Sequence, residues 1–259
     1  MSTDKDFLDL LNSLAEEQQY TIEFQRLNVD PIPVKFKSLT TLQLKELVKT
    51  AVDSPLTQSV FNSTATKVFK ESVVSPPSDI QFNVIDRLIF LIETRIQTIS
   101  PTKVIKSENK EIEVNYNDVL LSLKKSLKTN ANIFALTSSK ANKVSIVYGA
   151  ALIDTEVQLE EEIYKNVEIK IDNVEELRKV VGEAFINEIA KAIHTVTIDD
   201  KSINLNEMSF KKRLKLVETL PASLIQKVVE YVEAYKNMVN ASLTVKDFTI
   251  PIDSTLFSV

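Results

Sequence analysis

Phe82-Asn83-Val84-Ile85-Asp86-Arg87-Leu88-Ile89-Phe90-Leu91-Ile92-Glu93-Thr94-Arg95 opens the most hydrophobic stretch of the chain. From Leu88 to Ile92 every successive position is apolar, so a helix through it has no face left for water. The pattern predicts a helix over 82–99, buried all round and central to the N-terminal half, with Asp86, Arg87, Glu93 and Arg95 as its polar edge. This longest apolar run falls far short of the ~20 residues that span a bilayer, so it reads as a core helix and no membrane partner is expected.

Upstream, Tyr20–Phe24 and Ile32–Phe36 alternate with period two and predict a strand pair, with Asp30-Pro31 as its turn. Pro33 cannot donate to a ladder, which confines its strand to an edge. Helices are expected over 41–53, with Thr40 or Thr41 as cap, and over 56–73, separated by Pro55. A short amphipathic helix over 3–18 carries Phe7, Leu10, Leu11 and Leu14 at helical spacing.

Past Pro101 the pattern changes, and a domain boundary is expected there: 1–100, then 101–259. Val104-Ile105 and Ile112–Val114 flank a polar stretch and predict a hairpin, followed by a helix over 117–128. The polar segment 130–142 reads as a connector, and Val144–Tyr148 as a strand. Val157, Leu159, Ile163, Val167, Ile169 and Ile171 suggest one or two more strands. A helix over 174–193 follows, with Val174, Leu177, Val181, Ala184, Phe185, Ile189 and Ile193 on its buried face and Gly182 suggesting close packing. Thr195–Ile198 and Ile203–Leu205 form the clearest hairpin, and helices over 207–219 and 221–239 complete the second half. Helix, hairpin, helix around 82–128 is echoed around 174–219. The expected fold class is α+β, helix-rich with several short antiparallel β-hairpins and no doubly wound sheet.

Composition excludes much chemistry. The 259 residues include 2 Gly, 0 Cys, 0 Trp and 1 His. No Gly-rich phosphate loop, disulfide, thiolate metal site or multi-histidine centre can be built from these. No cofactor and no metal are expected. With 31 Lys+Arg against 36 Asp+Glu, the net charge of −5 gives no global draw for nucleic acid. The N-terminus lacks a signal-peptide pattern, so maturation in a cytoplasm is expected. His194 ends a helix with no visible nucleophile or orienting acid, which predicts a structural role and no catalytic residue. Glu160-Glu161-Glu162 reads as a solvated face. Lys211-Lys212-Arg213 with Lys215, and Lys124-Lys125 with Lys128, read as exposed helix faces or contacts to an acidic protein partner.

The tail differs from an ordinary free end. Phe248, Ile250, Ile252, Leu256 and Phe257 lie in an extended terminal stretch that either packs on its own domain or adds to a partner surface. They are the candidate partner-binding residues. The absences as a whole favour a structural or interaction protein over an enzyme. A cellular helical adaptor and an enzyme with a cryptic site are the alternatives.

Four segments carry a resemblance. Val34-Lys35-Phe36-Lys37-Ser38-Leu39-Thr40-Thr41-Leu42-Gln43-Leu44-Lys45-Glu46-Leu47 resembles the opening of the baseplate hub assembly proteins of T-even-type contractile-tailed bacteriophages. The 82–95 segment is similar to that family's central helix. Leu220-Pro221-Ala222-Ser223-Leu224-Ile225-Gln226-Lys227-Val228 resembles its Leu-Pro-initiated helix, and Ile250-Pro251-Ile252-Asp253-Ser254-Thr255-Leu256-Phe257 its terminal stretch. The four occur in the same order and span most of the chain. Two departures stand. Members often carry Cys near the C-terminal end, and tend to have Gly before the strand where this chain has Asp30-Pro31. A metal-binding role in relatives therefore does not carry over. The resemblance implies a non-enzymatic chaperone or component of the hub, whose partners are other phage baseplate hub proteins. It would be located in the host cytoplasm during assembly or in the virion tail baseplate.

Overall fold

The computed structural model describes residues 18–50, 57–75, 80–107, 110–165 and 174–258. The expected helix before Gln18, the Pro55 break and the run from Val167 to Ile171 lie outside the described residues. The fold is α+β, and every described strand pair is antiparallel. Two compact units are present: one runs up to Thr129 and takes in the chain from Ser242, and the other is Asn130–Ala241. This corrects the boundary expected at residue 100. The change at Pro101 is a change of element type within one core, not the edge of that core.

In the first unit β1 (Gln19–Arg26) pairs with β2 (Val29–Lys37), Ile22 facing Val34 and Tyr20 facing Phe36. The alternation holds, since Ile22, Phe24, Val34 and Phe36 are buried. The turn falls at Leu27-Asn28, ahead of the expected Asp30-Pro31, because Asn28 takes the left-handed conformation (φ 56°) that a tight hairpin needs. Asn142, Asp199, Asp200 and Asp247 also have positive φ, and neither glycine does. In a chain with 2 Gly, Asn and Asp fill these turn positions.

Helix α1 (Thr41–Lys49) starts at a reciprocal capping box between Thr40 and Gln43. After α2 (Thr57–Ser72) comes α3 (Val84–Thr98), capped by Asn83 with Asp86. Residues Ile85 to Ile92 are all buried: the unbroken apolar run Leu88–Ile92 requires it, and Asp86 and Arg87 are carried in with it. Phe24, Phe36, Phe69, Phe82 and Phe90 form an aromatic cluster, with Phe36–Phe90 and Phe69–Phe90 ring centroids both 5.0 Å apart. The hairpin β3 (Thr102–Ser107) and β4 (Lys110–Asn115) leads into α4 (Tyr116–Thr129), which packs Val119, Leu120, Leu123 and Leu127 into this unit, against α3 and β1.

The second unit holds a four-stranded meander, β5 (Thr137–Ala141), β6 (Val144–Tyr148), β7 (Ile193–Ile198) and β8 (Lys201–Asn204). The segment expected to be a connector therefore supplies an edge strand. Where strands were expected, α5 (Ile153–Lys165) forms instead: Ile153, Val157 and Glu160 follow helical spacing, and Asp154 and Glu156 suit a helix N-terminus. Helices α6 (Val174–Ala192), α7 (Phe210–Glu218) and α8 (Ala222–Ser242) complete the elements of this part of the chain. The core is aliphatic, built from Ile146, Leu159, Ile189, Ile193, Val196, Leu205, Val217 and Val228. Ala184 and Phe185 are exposed, and among the described residues a Cβ on Gly182 would meet nothing within 4 Å, so they show no close packing there.

Candidate functional site

His194 follows directly from α6, in β7, and is buried. Its Nε2 lies 3.1 Å from the Ala150 carbonyl, and its Nδ1 lies 3.4 Å from the Asn206 amide nitrogen. The consistent arrangement has Nε2–H donating to the carbonyl and Nδ1 accepting from the amide. Burial, with the nearby Arg213 charge, holds the imidazole below its ordinary value and so neutral. Both ring nitrogens are engaged in holding the chain together, which is a structural role.

Arg213, read from sequence as part of a basic patch, is 2% exposed. Its Nε and Nη2 donate to the Ala190 carbonyl, Nη2 also to Ile193 O (2.9 Å), and Nη1 to Leu205 O (3.1 Å). Burial lowers its pKa to about 10. The guanidinium is spent on carbonyls at the end of α6 and the start of β7, where the helix leaves acceptors without intrahelical partners. Lys211, Lys212 and Lys215 remain exposed around it.

Glu160 is also not on a solvated face. It accepts from Lys191 at 2.7 Å, Lys191 reaches Glu188 at 2.7 Å, and Lys236 reaches the other Glu188 oxygen at 2.7 Å. Burial alone would raise the Glu188 carboxyl, but Lys191 and Lys236 outweigh it and hold the pKa at about 2. In the first unit, Asp86 and Arg87 are likewise buried, not at a polar edge. Arg26 grips Asp86 with both nitrogens at 2.7 and 2.8 Å, and Arg87 donates to Thr66 at 2.9 Å. Arg95, 2% exposed, sits over the Tyr116 ring at 4.9 Å.

The tail is corrected as a partner-contact segment. Ile250, Leu256 and Phe257 are 1–2% exposed, while Phe248 and Ile252 are half-buried. Phe248 lies in a two-residue pairing of β9 (Thr244–Val245) with β10 (Phe248–Thr249), not in a long edge strand. The 3-10 turn Ser254–Phe257 packs on α1. Lys103 binds Thr255 O at 2.8 Å, and Ser258 O and Oγ at 3.0 and 2.6 Å. The apolar residues of the tail find their burial in the first unit itself.

A groove of about 420 Å³ does face solvent in that unit. Glu23 and Gln25 of β1 and Pro31 of β2 form one wall, Ile89 of α3 and Leu127 of α4 lie within it, and Leu121, Lys124, Lys125 and Lys128 line the α4 side. Leu121 is 68% exposed. Lys124 pairs with Glu93 at 2.9 Å. The second lysine patch seen in the sequence thus borders an apolar depression. A sequence signal for it exists: Leu121 stands off the Val119, Leu120, Leu123, Leu127 stripe and shares a face with the lysines. The opposite wall comes from residues far away in the chain, and no local pattern announces it.

Among the described residues no group of His, Asp and Glu is placed to hold a metal ion, and no helix is long and apolar enough to cross a membrane. No family model, curated protein or solved structure matches the chain.

Proposed function

We propose that this protein is a non-enzymatic assembly factor of the baseplate hub of a T-even-type contractile-tailed phage, acting in the host cytoplasm by binding other hub proteins. The collinear order of the four resembling segments carries the reading. Three of them, at 34–47, 82–95 and 250–257, lie in one compact unit, as pieces of a single ancestral core would. The buried His194, Arg213 and Lys191 are each committed to internal hydrogen bonds or ion pairs, which also favours a binding role over catalysis. Co-expression of the tagged chain with the hub proteins of the phage that encodes it tests the proposal. Co-purification of at least one hub protein is expected, and recovery of the folded chain alone would overturn it. Mass spectrometry of purified virions against infected-cell lysate then separates a transient chaperone from a retained component.

A further inference from the structure

We propose that the groove between the β1–β2 hairpin and α4 receives an acidic amphipathic helix of a partner protein. This rests on the reading above only in supposing a protein partner. Leu121, Lys124, Lys125 and Lys128 recur at i, i+3, i+4 and i+7, so they form one stripe on α4. Ile89 and Leu127 are the buried floor, and the lysine stems add apolar surface beside the exposed Leu121 and Pro31 while their ammonium groups stay at the rim. Such a surface matches a helix with aliphatic residues on one face and carboxylates flanking them. Lysines near the end of α4 also complement its dipole, but that does not explain a leucine 68% exposed beside them.

Charge chooses the occupant. Glu93 is engaged with Lys124, and Lys125 and Lys128 are exposed on the rim against the single wall carboxylate of Glu23. The rim therefore favours carboxylates, and complementary rim charge sets which partner is accepted. Nucleic acid fits less well: the lining has no aromatic side chain on which a base could stack.

The test uses the full chain and two synthetic 18-residue helical peptides. One carries leucines at i, i+3, i+4 and i+7 with glutamates elsewhere, and the other replaces each glutamate by lysine. Fluorescence anisotropy should show saturable binding of the acidic peptide alone, weakening several-fold from about 50 mM to about 500 mM salt. Leu121→Asp should weaken it by at least about tenfold, the loss typical of a central contact. Lys125→Glu with Lys128→Glu should transfer the preference to the basic peptide. These positions are exposed, and circular dichroism checks that each variant is folded. Equal binding of both peptides, or unchanged binding by Leu121→Asp, would overturn the proposal. So would a dimer abolished by Leu121→Asp, which would give the groove to a second copy. Peptide binding that emerges only with Leu10→Ser and Leu14→Ser would give it to the chain's own N-terminal stretch and equally overturn the proposal. Acidic-peptide binding without recovery of hub proteins would refute the phage reading and leave the groove standing. The reverse result would refute the groove alone.

Discussion

Helix α3 in the first unit and helix α6 in the second each precede a hairpin and a further helix, yet they are stabilised by different means. From Ile85 to Ile92 α3 is enclosed on every side, and its Phe90 ring packs against both Phe36 and Phe69. By contrast α6 has a turn, Gly182 to Phe185, open to water, and is fastened at its other end by Arg213. Apolar area holds the first. The second adds, to an aliphatic face at Ile189, Ala190 and Ala192, hydrogen bonds to otherwise orphaned carbonyls. The same order of elements is thus compatible with two kinds of core, and polar residues become interior where an element end must be satisfied.

Substitution at Phe90 breaks the comparison hardest. Phe90→Asp places an unpaired charge among aromatic rings, costing several kcal/mol against the ~5–15 kcal/mol of a whole domain. Loss of soluble expression is expected, and wild-type thermal stability would remove α3 from the core. On α6, Phe185→Ala should change stability by no more than about 0.5 kcal/mol, measured by urea unfolding.

Next comes the clamp. Arg213→Met keeps much of the side-chain volume but leaves the Ala190, Ile193 and Leu205 carbonyls without their donor. A loss of about 2–4 kcal/mol is expected, since a buried carbonyl left without its donor costs about 1–3 kcal/mol. Its counterpart in the first unit is Asp86→Ala, which strands the Arg26 guanidinium and should cost a similar amount. If Arg213→Met proves neutral, the second unit is held by its aliphatic core alone.

Acid sharpens the contrast further. Lys191 and Lys236 overcome burial and hold Glu188 at about 2, below its ordinary 4.5. Its contribution is therefore complete above pH 4.5 and is lost as pH falls from there through about 2. Glu188→Gln should flatten that part of the stability profile, and an unchanged profile would contradict the pairing. His194 is also depressed, by burial first, so its neutral form contributes stability that declines as pH falls below the ordinary 6.5. His194→Gln should reduce the dependence just below that point.

The smallest expected effect is a gain. Among the described residues a methyl on Gly182 meets nothing within 4 Å, so Gly182→Ala should stabilise α6 by about 0.5–1 kcal/mol through helix propensity. A loss in thermal melting would show that a neighbour covers this turn.

The elements legible in the sequence were those with one unambiguous period. Ile22, Phe24, Val34 and Phe36 alternate, and α3 is apolar at every position from Leu88 to Ile92, so both emerged with their burial. Thr137–Ala141 did not, because an edge strand of Thr, Ser and Lys buries little and carries no hydrophobic signal. The α5 segment misled because Val157 and Leu159 alternate locally while the longer spacing is helical. The charged side chains were least legible. Nothing within Lys211-Lys212-Arg213 says that the third residue turns inward to the carbonyls left at the end of α6. The tail carried a true burial requirement, but its destination lies far upstream: Lys103 and Thr255 are separated by 152 residues, and α1 is farther away still. The groove was half legible, through the lysine stripe of α4 but not its β-hairpin wall.

The proposed role in hub assembly is tested most directly by following tail assembly in infected cells. The measurement is sedimentation and electron microscopy of tail intermediates when a stop codon silences this chain. The account predicts that free hub proteins accumulate and baseplates without a completed hub appear, with rescue by the wild-type chain supplied in trans. Complete baseplates formed at the normal rate in the absence of the chain would contradict it.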